Sequence, residues 1–128
     1  MMLFDMFNLP EDIYQIVFPT DRQQIVAKLL IHMMKKNGGQ IGKTEMSLFA
    51  TKLHEGTVKV ATGEPDITGQ KKIMTLSYNK RQFYDRILTP LKSMGMIDYD
   101  LYKKVYIISD KFNKCMIKVG LLWLREIR

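Results

Sequence analysis

The chain has 128 residues, 46% hydrophobic and 26% charged, with 20 Lys and Arg against 13 Asp and Glu and a net charge of +7. That is the size and balance of one globular domain, and it excludes wholesale disorder, a collagen-like or coiled-coil rod, and a disulfide framework or cysteine zinc site, since Cys115 is the only cysteine. The excess of bases favours an anionic partner, nucleic acid first.

No stretch approaches the ~18 apolar residues of a membrane span. The opening Met1-Met2-Leu3-Phe4-Asp5 lacks the basic region of a signal peptide, so a cytoplasmic, nucleoid-associated setting without a membrane is expected. Residues 1–20 carry three acids and no base, whereas residues 21–53, 78–95 and 96–128 each carry a positive excess. The acidic head is therefore a poor match for phosphate, and the middle and end of the chain a good one.

The head, residues 1–19, reads as an apolar extension broken by Pro10, with one short helix around Glu11 to Phe18. Thr20 and Gln23 form a capping box for a helix whose apolar residues (Ile25, Val26, Leu29, Leu30, Met33, Met34) recur at the helical period. Lys35 and Lys36 suit the last turn, and Gly38 and Gly39 end it. Gln40-Ile41-Gly42 is a short extended link. A second helix follows from Lys43 to about Leu53, with Met46, Phe49, Ala50 and Leu53 on one face. Residues 54–76 hold Gly56, Gly63, Pro65 and Gly69 and read as a loop, with a short strand at Thr57–Ala61. A loop that long in a small domain counts against its own assignment.

A third helix is predicted from Tyr78 to Met94, its inner face made by Phe83, Ile87, Leu91 and Met94 and its border by Tyr84 and Leu88. Pro90 removes the hydrogen bond to Arg86, which kinks or splits it. Gly95 stops it. Ile97-Asp98-Tyr99-Asp100 and Lys104-Val105-Tyr106-Ile107-Ile108 read as two strands of a hairpin, and Ser109 or Asp110 caps a last helix reaching about Ile127.

The order is helix, extended link, helix, loop, helix, strand, turn, strand, helix. From Phe83 to Phe112, FYDRILTPLKSMGMIDYDLYKKVYIISDKF, it resembles the winged-helix (winged helix-turn-helix) family of DNA-binding domains. The junction that carries the likeness is Leu91, three residues, Gly95, Met96 and Ile97. The resemblance spans roughly residues 20–127, and the long link before the third helix departs from it. It implies a mainly α fold with a small β-hairpin: a winged-helix domain over 20–109, the N-terminal extension 1–19, and a C-terminal helix over 110–128 for packing or dimerisation.

The resemblance also implies that the third helix enters the major groove of double-stranded DNA. With Phe83, Ile87 and Leu91 turned inward, its far face shows Tyr78, Arg81, Gln82, Asp85 and Thr89, with Asn79 and Lys80 in the first turn and Arg86 flanking the exposed face. Arg81 suits guanine, Gln82 or Asn79 suits adenine, and Lys80 and Arg86 suit phosphates. Lys43, Thr44 and Ser47 open the second helix as candidate phosphate contacts. At the hairpin tip, Tyr102, Lys103 and Lys104 suit the backbone or minor groove. The bland alternatives are a solvated helix face and a hairpin whose lysines block edge pairing.

On the last helix, Phe112, Met116, Val119, Trp123 and Ile127 form one apolar stripe, and Ile117, Leu121 and Leu124 a second. A helix apolar on two sides needs two partners. One side is expected on the core, the other against the head or a second copy; a homodimer with Trp123 near its centre is preferred.

Other motifs carry less. Asn37 to Thr44 nearly spells a P-loop, but it follows a helix where a P-loop follows a strand. Gly39-Gln40-Ile41-Gly42 matches a KH-type GXXG without the preceding strand. His32, His54 and Cys115 form no metal-ligand spacing, Cys115 reads as a packed thiol, and no hydrolase motif is present. The expectation is no enzyme, no cofactor and no small-molecule ligand. The expected function is sequence-specific DNA binding in transcription regulation. The alternatives are a protein-binding module or a replication or partition accessory protein.

Overall fold

The computed structural model describes residues 5–62 and 72–128. Among the described residues it is mainly helical with two small antiparallel sheets. After a 3-10 turn at Met6–Asn8, the chain forms α1 (Ile13–Val17), α2 (Asp21–Lys36), β1 (Gln40–Gly42), α3 (Lys43–Glu55), β2 (Val58–Thr62) and β3 (Lys72–Leu76). Next come a helix over residues 80–93 (α4), β4 (Ile97–Asp100), β5 (Val105–Ile108) and α5 (Lys111–Glu126).

α2 starts as its sequence dictates: the Thr20 hydroxyl accepts the Gln23 N–H at 3.2 Å. The capping box closes in one direction only, because the Gln23 side-chain oxygen is buried and finds no partner. α1 is held to α2 by the Lys28–Asp12 ion pair at 3.6 Å, and Gln24 donates to the Phe18 carbonyl at 3.0 Å. The Phe18 ring is thereby fixed in the core, 2% exposed.

Two antiparallel sheets form. β1, β5 and β4 make one, with β5 in the middle: Ile41 faces Tyr106, and Tyr99 faces Tyr106 from the other side. β2 and β3 make the second, Val58 opposite Leu76. The expected loop over 54–76 is thus corrected: one strand is near the predicted Thr57–Ala61, and a second, Lys72–Leu76, pairs with it. Periodicity over five residues is a weak signal beside three glycines and a proline, and the partner strand supplies the missing reason. The part of that expectation covering 63–71, like residues 1–4 of the head, lies outside the described residues.

α4 differs from a plain helix. It opens with Lys80–Gln82, widens into a π-helical stretch at Phe83–Leu88 and returns to α over Thr89–Ser93. The Thr89 N–H reaches back to the Tyr84 carbonyl, five residues earlier, and its hydroxyl donates to the same oxygen at 2.7 Å. The wider turn absorbs the donor that Pro90 lacks, so the helix continues past the proline. It also shifts the phase, so that Leu88 joins Phe83, Ile87 and Leu91 in the core, all four at most 2% exposed.

The core gathers Leu30 and Met34 of α2, Met46 and Leu53 of α3, these α4 residues and Ile97 of β4. Phe83 stacks edge-on with Phe49 and Tyr84, each at 5.5 Å between ring centres. Burying each such side chain contributes roughly 1.5–3 kcal/mol. At the end of α4, Gly95 (φ +83°) turns the chain, its N–H on the Lys92 carbonyl and the Met96 N–H on that of Leu91. That double bond closes the helix and aims Ile97 into the core.

α5 departs most from expectation. No residue of it is buried. Only its root is held: Phe112 and Met116 are half-buried, the Phe112 N–H donates to the Gly95 carbonyl at 3.1 Å, and Lys111 pairs with Asp98 at 2.5 Å. Beyond Met116 the side chains of both apolar stripes stand exposed. Trp123 is 65% exposed. Cys115, expected to be packed, is exposed.

Candidate nucleic-acid interface

Three elements carry the predicted contacts, and they touch one another. α3 meets the β4–β5 turn where the Lys43 N–H donates to the Lys104 carbonyl at 3.0 Å. α4 meets α3 where the Lys80 ammonium donates to the Thr51 hydroxyl at 3.0 Å and the Lys80 N–H to His54 Nδ1 at 3.2 Å. α4 meets the hairpin through Lys92, whose ammonium lies 5.9 Å from the ring centres of both Tyr99 and Tyr106, a cation–π distance. Tyr99 and Tyr106 stack edge-on at 4.6 Å. Burial, with Tyr84 and Tyr99 beside it, holds the Tyr106 hydroxyl protonated to higher pH than a free phenol.

On α4 the outward residues are Arg81, Gln82, Asp85, Arg86 and Thr89, all exposed. The Arg81 side chain is 91% exposed and stands 3.9 Å from Asp85, one turn on. An ion pair that open is worth little and yields readily to a stronger anion. Arg86 and Gln82 line a polar cleft of about 300 Å³ with Thr20, Arg22 and Asn79. Arg22 belongs to α2 and donates to the Ser77 carbonyl. Sequence reasoning missed Arg22 and Lys92, because nothing local marks which base of α2 or of α4's last turn will stand beside a neighbour.

Three predicted contacts change role. Tyr78 precedes α4 instead of lying on its open face; it is 7% exposed and its N–H donates to the Leu53 carbonyl at 2.9 Å. Asn79 is the helix cap, its side-chain oxygen accepting the Gln82 N–H at 3.1 Å. Adenine reading needs that oxygen, so Asn79 leaves the readers and Gln82 stays. Lys80 is half-buried and tied to α3 rather than extended toward solvent. His54, at the end of α3, serves as a hydrogen-bond acceptor for α4.

On α3, Lys43 and Thr44 are exposed and Ser47 is half-buried. The hairpin tip presents Leu101, Tyr102, Lys103 and Lys104, all exposed, Tyr102 at 98%. The Asp100 carboxylate accepts the N–H groups of Tyr102 at 2.9 Å and Lys103 at 3.1 Å, and Lys104 takes a left-handed conformation, φ +54°. Among the described residues no cluster of three His, Cys, Asp or Glu side chains comes together, and no helix is long and apolar enough to cross a membrane.

Comparison with family models, with curated proteins and with solved structures finds no match for this chain.

Proposed function

We propose that this is a winged-helix protein that binds double-stranded DNA as a homodimer and regulates transcription in the cytoplasm. α2, α3 and α4 would form the helical core, α4 the helix that enters the major groove, and the β4–β5 turn the wing. One observation carries the reading. The exposed face of α4 (Arg81, Gln82, Arg86) is buttressed by both neighbours that also carry exposed bases, α3 with Lys43 and the hairpin with Lys103 and Lys104. Arg81 and Gln82 would read base edges; Arg86, Lys43, Thr44, Lys103 and Lys104 would hold phosphates, with Ser47 behind them.

The test is binding to random and selected duplexes over a salt series. Affinity should fall steeply with salt, and each phosphate-binding base replaced by Ala should flatten the logarithmic slope by about one. Arg81→Ala should cost about 1–3 kcal/mol and relax specificity at one base pair. No binding at low salt, or affinity unchanged in Arg81→Ala/Arg86→Ala, overturns the reading. The bare apolar length of α5 favours a second reading in that event, a module that binds protein.

A further inference from the structure

We propose that two copies pair through antiparallel α5 helices, with Trp123 of each copy seated in an apolar pocket at the root of the other's α5. This deepens the dimer reading above and rests on it. It moves Trp123 from the centre of the interface to its two ends.

The seam on α5 is Phe112, Met116, Val119, Trp123, spaced four, three, four, the alternation of a helix-pairing seam. Antiparallel alignment about a two-fold axis between residues 117 and 118 sets Phe112 against the partner's Trp123, and Met116 against the partner's Val119. Phe112 and Trp123 are eleven residues apart, roughly 16 Å along the helix axis at 1.5 Å per residue. The indole of one copy therefore reaches the root of the other.

That root is hollow. An apolar pocket of about 310 Å³ lies there, walled by Ile13, Tyr14 and Val17 on one side and Phe112 and Asn113 on the other. It has room for an indole, and its rim offers Tyr14 and Asn113 for the indole N–H. Parallel pairing would bring both globular bodies to the same end of the helices and leave both pockets open. From Ile117 to Ile127 the apolar side chains are 43–65% exposed. Those on the seam's side, Val119, Trp123 and Ile127 with half-buried Phe112 and Met116, offer on the order of 400 Å², which with the pocket walls places the pair at the small, reversible end of interfaces, below the ~800 Å² that each partner buries in a standard one.

Trp123 is the single tryptophan, so its emission reports its own surroundings. The full chain should sediment as a dimer, twice its 15.0 kDa mass, with blue-shifted emission that moves red as dilution yields monomer. Ile13→Arg places a charge in the pocket wall, at a position 40% exposed. It should weaken dimerisation more than tenfold and shift Trp123 emission to the red in whatever dimer remains. Trp123→Ala, outside the monomer core, should weaken it as much. A dimer indifferent to Ile13→Arg, with unchanged emission, overturns the pocket assignment while leaving a dimer. A monomer at every concentration overturns both. Blue-shifted emission seen only with anionic lipid vesicles also overturns the proposal.

Discussion

Gly95 sits where α4, β4 and the root of α5 converge. A Cβ there would lie 2.9 Å from the Phe112 nitrogen and 3.0 Å from the Lys111 Cβ, with φ at +83°. Both the backbone conformation and the space demand glycine. Gly95→Ala should cost at least about 1–3 kcal/mol and loosen α5 first, which amide exchange along residues 111–116 would register. Lys104 is the opposite case, a side chain kept in the left-handed region. Lys104→Gly should raise stability by roughly 1 kcal/mol in thermal unfolding and at the same time weaken DNA binding, so the two readouts move apart. Asp98 gives a pH signature. The Lys111 ammonium bonded to it, with smaller help from the Tyr99 N–H and Lys92, holds its carboxyl below the ordinary value of 3.8. Its contribution to stability is full above that value and disappears as the pH falls through the lowered one. Thermal unfolding of Asp98→Asn should therefore lose part of its dependence on acid pH in that window, while the two proteins converge at lower pH.

At the scale of elements, α4 holds the fold together. Phe83 fills the space between α3 and Tyr84, so Phe83→Ala should cost about 3–5 kcal/mol in denaturant unfolding. Leu101→Ala, on an exposed turn, should change stability by less than about 0.5 kcal/mol. α2 could be read from the sequence because it carries its own start and stop, Thr20 and Gly39, and α4 its own stop, Gly95 beyond Ser93; α3 was legible from its apolar face, whereas its left-handed cap at Gly56 lay inside the expected loop. β4 and β5 were legible from their β-branched and aromatic content. β3 was not, since a five-residue strand is defined by its partner more than by itself. The π-helical stretch escaped for a related reason. Pro90 announced a defect, but whether it kinks the helix or widens the preceding turn depends on the tertiary packing of Leu88. The charged face was half legible. Arg81, Gln82 and Arg86 stand open as their spacing implies, whereas Asn79 and Lys80 were claimed by a cap and a neighbouring hydroxyl that helical periodicity cannot foresee.

The whole molecule is divided between a packed body and a projecting helix. Its net charge of +7 lies away from the acidic head, so a polyanion should bind and stabilise the native state. Duplex DNA at a hundred times its dissociation constant should add about 2.7 kcal/mol to the unfolding free energy and raise Tm, an effect that added salt abolishes. The β4–β5 turn bears on how such an affinity would be achieved. Asp100 already fixes two of its amides, and Lys43 of α3 already fastens its last carbonyl. A loose finger would have to surrender its conformational freedom at the moment of contact, and that loss would subtract from every bond it made. This one surrendered it on folding, so under the proposed reading its two lysines would meet an incoming phosphate with only their own side chains left to quiet.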